Sequence, residues 1–264
     1  SVLFLLGKEV ASVFIGKGEP VYKTLNDHYR EKFGCKVYKL SIDAGFSCPN
    51  RDGTCGTGGC IFCSGRGSGD FAEGGGDLTA QLERAKSRVA AKNKGGKYIA
   101  YFQSFTNTYG PTEHLQRLYT EAMESDDIVG LSIGTRPDCL PPETVALLAR
   151  LNAIKPITVE LGLQTIHESS ARFIRRGYPL ETYTDAVKRL SAHGIEIITH
   201  VILGLPGESR EMMLETVKLL NTLDIQGIKI HMLHILKNTK LAELYEKEHF
   251  HVLTKEEYTN IVCD

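Results

Sequence analysis

The chain has 264 residues, a formal net charge of -1 and seven cysteines. That length buries a sizeable core without crosslinks, and the near-neutral charge excludes a global electrostatic footprint for nucleic acid, so a nucleic-acid partner needs a local patch. The odd, unevenly clustered cysteines argue against a secreted disulfide framework and fit a reducing, cytoplasmic setting with thiolates reserved for metal.

Ser1 to Leu6 is apolar but short, lacks a basic flank and is closed by Lys8 and Glu9. It is neither a signal peptide of usual form nor a membrane span. Residues 1–35 read as an N-terminal extension, and the missing initiator Met reads as a trimmed start. The run from Lys36 to Ile42 reads as a strand, followed by a glycine-rich loop from Asp43 to Gly76. Further strands are expected over Tyr98–Gln103, Ile128–Ile133, Ile157–Leu161, Glu196–Leu203 and Gly227–His234. Amphipathic helices are expected between and after them, over Asp77–Lys92, Thr112–Glu124, Pro142–Leu151, Leu180–His193 and Arg210–Leu223. Repeated strand–helix alternation with short connections predicts a parallel α/β architecture. No Gly-x-Gly-x-x-Gly turn follows the first strand, which disfavours a dinucleotide-binding domain. The expected fold is a partial (βα)6 TIM-type barrel over 36–250, with its site at the C-terminal strand ends. Thr254 and Glu257 form a capping box that should open a helix, so 251–264 reads as the truncated start of a C-terminal segment.

The loop carries Cys48, Cys60 and Cys63, the last two as Cys60-Ile61-Phe62-Cys63. Three thiolates can hold three corners of a cubic iron–sulfur cluster and leave one iron open. Glycines from Gly53 to Gly76 let backbone approach a bulky group, free N–H groups can bond cluster sulfides, and Phe62 would shield one face. A structural zinc site is the alternative, because Cys55 supplies a fourth thiolate. Two Cys-x-x-Cys knuckles are usual for a zinc ribbon, and only one is present. Cys35, Cys139 and Cys263 read as ordinary thiols.

Polar and glycine residues recur at the strand ends: Gln103-Ser104-Phe105-Thr106, Gly134-Thr135-Arg136-Pro137-Asp138, Glu160-Leu161-Gly162-Leu163-Gln164 and His200 through Glu208. Each alone has an ordinary explanation as a turn, an ion pair or a core histidine. Four in register with a cysteine loop point to a ligand at a barrel mouth.

With these residues together, the chain resembles the radical S-adenosylmethionine (SAM) superfamily. The usual Cys-x3-Cys-x2-Cys spacing is replaced by eleven residues between Cys48 and Cys60. The passage Cys48-Pro49-Asn50-Arg51-Asp52-Gly53 through Gly58-Gly59-Cys60-Ile61-Phe62-Cys63-Ser64 resembles the YtqA/YhcC-type, or MnmL-type, subgroup. Arg176-Gly177-Tyr178 and His200 to Glu208 are similar to the radical SAM domain of the Elongator catalytic subunit.

The resemblance implies a [4Fe-4S] cluster on Cys48, Cys60 and Cys63, with Cys55 a bystander, and SAM cleaved to a 5′-deoxyadenosyl radical. It also implies SAM contacts from Gln103 and Ser104 to the methionine amino group, and from Arg176 to the carboxylate. Gln164 and His200 would meet the ribose, Val201 and Leu203 the adenine through strand backbone, and Glu160 the ribose or substrate. The subgroup implies a tRNA partner, with 5-carboxymethylaminomethyluridine at the wobble position converted to 5-aminomethyluridine. A one-electron reductant such as flavodoxin or ferredoxin is implied as well, and no membrane. Lys92, Lys94 and Lys97, the arginines of 172–176, and Lys229 with Lys237 are candidate RNA-binding patches. A radical SAM enzyme on a small molecule or protein, and a non-catalytic zinc-stabilised α/β binding module, are the competing readings.

Overall fold

The computed structural model describes residues 2–4, 22–67 and 69–264. Six parallel strands form its centre: β3 (Val37–Ile42), β4 (Lys97–Phe102), β5 (Ile128–Thr135), β6 (Ile157–Gln164), β7 (Glu196–Leu203) and β8 (Gly227–Met232). They pair in chain order, β3 to β4 and onward to β8, and curl into an incomplete barrel. Two short strands, β1 (Val2–Phe4) and β2 (Lys23–Thr24), extend the sheet beyond β8 in antiparallel register. Residues 2–4 and 23–24 are therefore part of the sheet, with Leu3 opposite Ile228 on β8.

The helices are α1 (Leu25–Phe33), α2 (Leu78–Val89), α3 (Thr112–Met123), α4 (Pro142–Asn152), α5 (Glu168–Phe173), α6 (Leu180–Ser191), α7 (Arg210–Leu220), α8 (Lys240–Glu248) and α9 (Lys255–Cys263). A 3-10 turn, Pro137–Cys139, follows β5. Period-2 strand patterns set the packing. On β5, Leu131 and Ile133 enter one continuous core with Leu115 and Tyr119 of α3 and Leu147 and Leu148 of α4. Ser132 between them faces the barrel interior, where it meets Glu160. Apolar residues thus bind strands to the outer helices, and polar ones line the inside.

Each helix expected from the sequence between Asp77 and Leu223 forms, within a few residues of its expected ends. The Thr254 capping box is formed too, and it opens α9. Sequence reasoning missed α1, α5 and α8. Of these, α1 carried a readable signal, the capping box of Thr24 with Asp27, whereas α5 has only six residues and too little periodicity to read.

Candidate active site

At the C-terminal ends of the parallel strands lies a cavity of about 530 Å³ lined by Cys48, Cys60 and Cys63. Gly134 of β5 and Gly162 of β6 both line its wall, and the missing side chains keep the space open. Strand alternation decides which residues face it. His200 and Ile202 line the cavity, while Val201 is buried in the helix-facing core.

The cysteine loop is held by its own backbone. Arg51 N–H donates to Cys48 O at 2.8 Å, Cys63 N–H to Cys60 O at 3.1 Å, and Ile61 N–H to Ile174 O at 3.1 Å. Asn50 Nδ2 reaches both Arg175 O at 2.6 Å and Cys60 Sγ at 3.5 Å. Its side chain thereby ties the loop to the segment after α5. The hydrogen bond shared with Cys63, together with burial, pushes the Cys60 thiol up, so two sulfurs share one site. Among the described residues, no three His, Cys, Asp or Glu side chains converge on a single-ion geometry. Three thiols, Cys48, Cys60 and Cys63, line the one cavity, the number that fits three corners of a cluster. Glycine makes room for it: at Gly67, with φ +58°, a Cβ would lie 2.4 Å from the Phe105 ring. Cys55 is exposed and outside the cavity wall. Phe62 is half-buried in that wall, and Phe71, 87% exposed, stands at its rim.

The floor is an ion-pair network centred on Glu160, whose side chain is fully buried. Its Oε1 accepts from Ser132 Oγ at 2.6 Å and pairs with Lys39. Its Oε2 meets Tyr101 OH at 2.9 Å, His200 Nε2 at 2.6 Å and Lys229 Nζ at 3.3 Å. Burial alone would raise the Glu160 carboxyl, but Lys39, Lys229 and His200 outweigh it and hold it well below the usual range. Burial and Lys229 hold the His200 imidazole below its ordinary value, against the pull of Glu160. Glu160 is therefore an ionised anchor with both oxygens engaged within the protein, and it also lines the cavity.

The other expected residues divide. Gln103 and Gln164 line the cavity, Gln164 with a left-handed φ of 70°. Ser104 does not line it: its Oγ is buried without a hydrogen-bond partner beneath Gly69. Arg176 is 1% exposed. Its Nε donates to Tyr178 O at 2.9 Å, its Nη1 to Leu163 O and Thr165 O, and its Nη2 to Glu168 at 3.0 Å. This fork braces the β6–α6 connection, and Arg176 also lines the cavity. Val201 and Leu203 turn their side chains away from the cavity, and Leu203 O already accepts from Leu233 N–H at 3.0 Å. Ile202 is the β7 residue beyond His200 that faces in.

Of the basic patches, Lys92, Lys94 and Lys97 precede or begin β4 and so sit at the end of the barrel opposite the cavity. Lys229 is tied into the floor. Arg172 and Arg175 are exposed beside the cysteine loop, and Lys237 follows cavity-lining Leu236. Sequence reasoning missed Tyr101 and His231 as cavity residues, and it named Arg136 only within the strand-end run that the structure does bring to the cavity. Period-2 alternation from Gln103 would have turned Tyr101 inward. Arg136 forks onto Asp138 at 2.9 and 2.7 Å and donates to Arg176 O at 2.9 Å. Among the described residues no helix is long and apolar enough to cross a membrane.

The comparisons with known proteins agree with this geometry. The Radical SAM superfamily profile matches residues 52–220, starting just after Cys48, and the Radical SAM C-terminal domain matches 225–264. The chain is 51% identical over 247 residues to protein YtqA of Bacillus subtilis, covering 93% of this chain and 77% of that protein. It is 37% identical over 229 residues to protein YhcC of Escherichia coli, covering 86% and 73%. A tRNA uridine(34) acetyltransferase of Methanocaldococcus jannaschii is 28% identical over 137 residues, 51% of this chain and 25% of that protein. Among solved structures, archaeal Methanocaldococcus infernus Elp3 with an N-terminal deletion superposes with a TM-score of 0.60 at 18% identity, covering 86% of this chain and 52% of that one. That superposition supports the incomplete barrel. The profile match, which spans most of the described barrel, and the identity to YtqA establish that the chain belongs to the radical SAM superfamily.

Proposed function

We propose that this radical SAM enzyme acts on tRNA at the wobble uridine, converting a 5-carboxymethylaminomethyl group to 5-aminomethyl. Membership of the superfamily makes a [4Fe-4S] cluster and SAM its cofactors, and it overturns the non-catalytic zinc-module reading. Together they supply a 5′-deoxyadenosyl radical able to remove hydrogen from an unactivated carbon. Cys48, Cys60 and Cys63 would hold the cluster, since all three face one cavity. Gln103, Gln164 and His200, which line the same cavity, would orient SAM. The chain's other residues set the surroundings: Phe62 limits water access, and the Glu160 network fixes the floor.

The observation that carries the tRNA reading is the similarity to an enzyme named for uridine 34 of tRNA. The exposed Arg172 and Arg175 beside the cysteine loop and Lys237 at the rim supply local positive charge suited to a phosphate backbone. Hydrogen abstraction from the carboxymethyl carbon beside the amine, with the remaining electron passed to a one-electron acceptor, would give an iminium that water hydrolyses to the 5-aminomethyl group and glyoxylate. The test compares wobble-uridine nucleosides of tRNA from deletion and wild-type cells. Accumulation of 5-carboxymethylaminomethyluridine with loss of 5-aminomethyl products supports the assignment. Unchanged pools reject it in favour of a small-molecule or protein substrate.

A further inference from the structure

We infer that Lys229 and His231 form a subsite for a carboxylate carried by the substrate. This rests on the cavity being the catalytic site and deepens the reading above by making the substrate's reacting end anionic.

The placement follows from strand geometry. Lys229 and His231 are two residues apart on β8, opposite His200 and Ile202 of β7, and all four line the cavity. Alternation turns them to one face.

Charge on this floor does not balance. Glu160 is the shared carboxylate of Lys39 and Lys229, so two ammonium groups face one anion. His200 is held toward its neutral form. Burial, then His200 and Lys229, lower His231 to about 3, so it too is neutral near pH 7. Tyr101 is kept as a neutral phenol, chiefly by burial. Two lysines thus share one carboxylate in a largely desolvated cluster, and burial, with Lys39 and against the pull of Glu160, holds Lys229 below its ordinary value, a cost that a second anion would relieve.

Lys229 is the member free to answer. Oε2 of Glu160 meets Tyr101 at 2.9 Å and His200 at 2.6 Å, but Lys229 only at 3.3 Å. Lys229 Nζ also donates to Tyr101 OH at 3.1 Å. An ammonium has three N–H groups, so a third remains for a cavity ligand. Beside it, His231 Nε2 is shut from solvent with no hydrogen-bond partner. A buried polar atom of this kind calls for a ligand. A charged donor and a neutral one, on alternate residues of one strand face in the same cavity, suit the two oxygens of a carboxylate.

The test uses the cluster-reconstituted, SAM-saturated protein, with equilibrium dialysis of two ligand pairs. One pair is 5-carboxymethylaminomethyluridine and its carboxamide; the other is N-methylglycine and N-methylglycinamide, which carry the same end group without uridine. The wild-type protein should bind each acid at least about ten-fold tighter than its amide. Lys229→Gln should abolish the preference, Lys229→Arg should keep most of it, and His231→Phe should reduce it about three-fold or more. Should Lys229→Gln fail to fold, an undiminished preference in His231→Phe overturns the assignment. No preference within the N-methylglycine pair, or a preference that survives Lys229→Gln, also overturns it. Weakened SAM binding in Lys229→Gln, with no acid preference in the wild type, would assign these donors to SAM instead. Discrimination in the small pair without binding of either uridine compound keeps the subsite and removes the uridine reading.

Discussion

His200 Nε2 lies 2.6 Å from Glu160 Oε2, which joins β7 to β6 across the barrel floor. The contact belongs to a set in which one buried carboxylate answers two lysines, a tyrosine, a serine and a histidine. Removing that carboxylate leaves Lys39 and Lys229 facing each other without a counter-charge. Glu160→Gln should therefore cost about 3–5 kcal/mol of stability, read by denaturant unfolding. A loss below about 1 kcal/mol would show that the network adds no more than a surface pair.

Acid should unfold the protein in a defined direction. The imidazoles of His200 and His231 are held below their ordinary value of 6.5, His231 to about 3. The unfolded chain then binds more protons than the native one below pH 6.5, and stability falls as pH drops from there. Glu196, taken down to about 2 from 4.5 by His28 and Lys32 against the effect of burial, adds loss of the same sign between pH 4.5 and 2. Unfolding midpoints measured from pH 8 to pH 4 should decline on acidification, and His231→Phe should flatten the part between pH 6.5 and 4. A midpoint that rises on acidification would contradict the assignment.

The barrel was legible because the strands alternate with amphipathic helices of ordinary length, and Glu196–Leu203 was bounded correctly to the residue. The cysteine loop was legible from spacing and glycine content. The bonds of Arg176 were not: they run to carbonyls of Leu163, Thr165 and Tyr178, which the sequence does not show facing it. Lys229 read as an exposed base because its partner Glu160 is sixty-nine positions away in sequence. Nor could three residues of β1 reveal that they pair antiparallel with β8, since a strand that short carries no period.

Arg176→Lys tests the bracing role directly. An ammonium cannot reproduce the planar fork that reaches three backbone carbonyls and Glu168. We expect a loss of about 2–3 kcal/mol in unfolding free energy. A variant of native stability that has lost only SAM affinity would return Arg176 to the ligand-carboxylate role.

Gly69 and Ser104 form a steric pair. A Cβ at Gly69 would lie 1.9 Å from Ser104 Oγ and 2.7 Å from its Cβ. Gly69→Ala should destabilise by about 1–3 kcal/mol, and adding Ser104→Gly should recover part of that loss despite the cost of a second glycine. Additive destabilisation in the double variant would show that the two sites are not coupled.

The central claim is that Cys48, Cys60 and Cys63, and not Cys55, hold the cluster at which SAM is cleaved. Anaerobic reconstitution with iron and sulfide, followed by reductant and SAM, measures it through 5′-deoxyadenosine. The wild-type protein and Cys55→Ser should be brown, show a four-iron signal and form 5′-deoxyadenosine, while Cys60→Ser should form none. A colourless zinc protein, or cleavage retained without Cys60, would contradict the account.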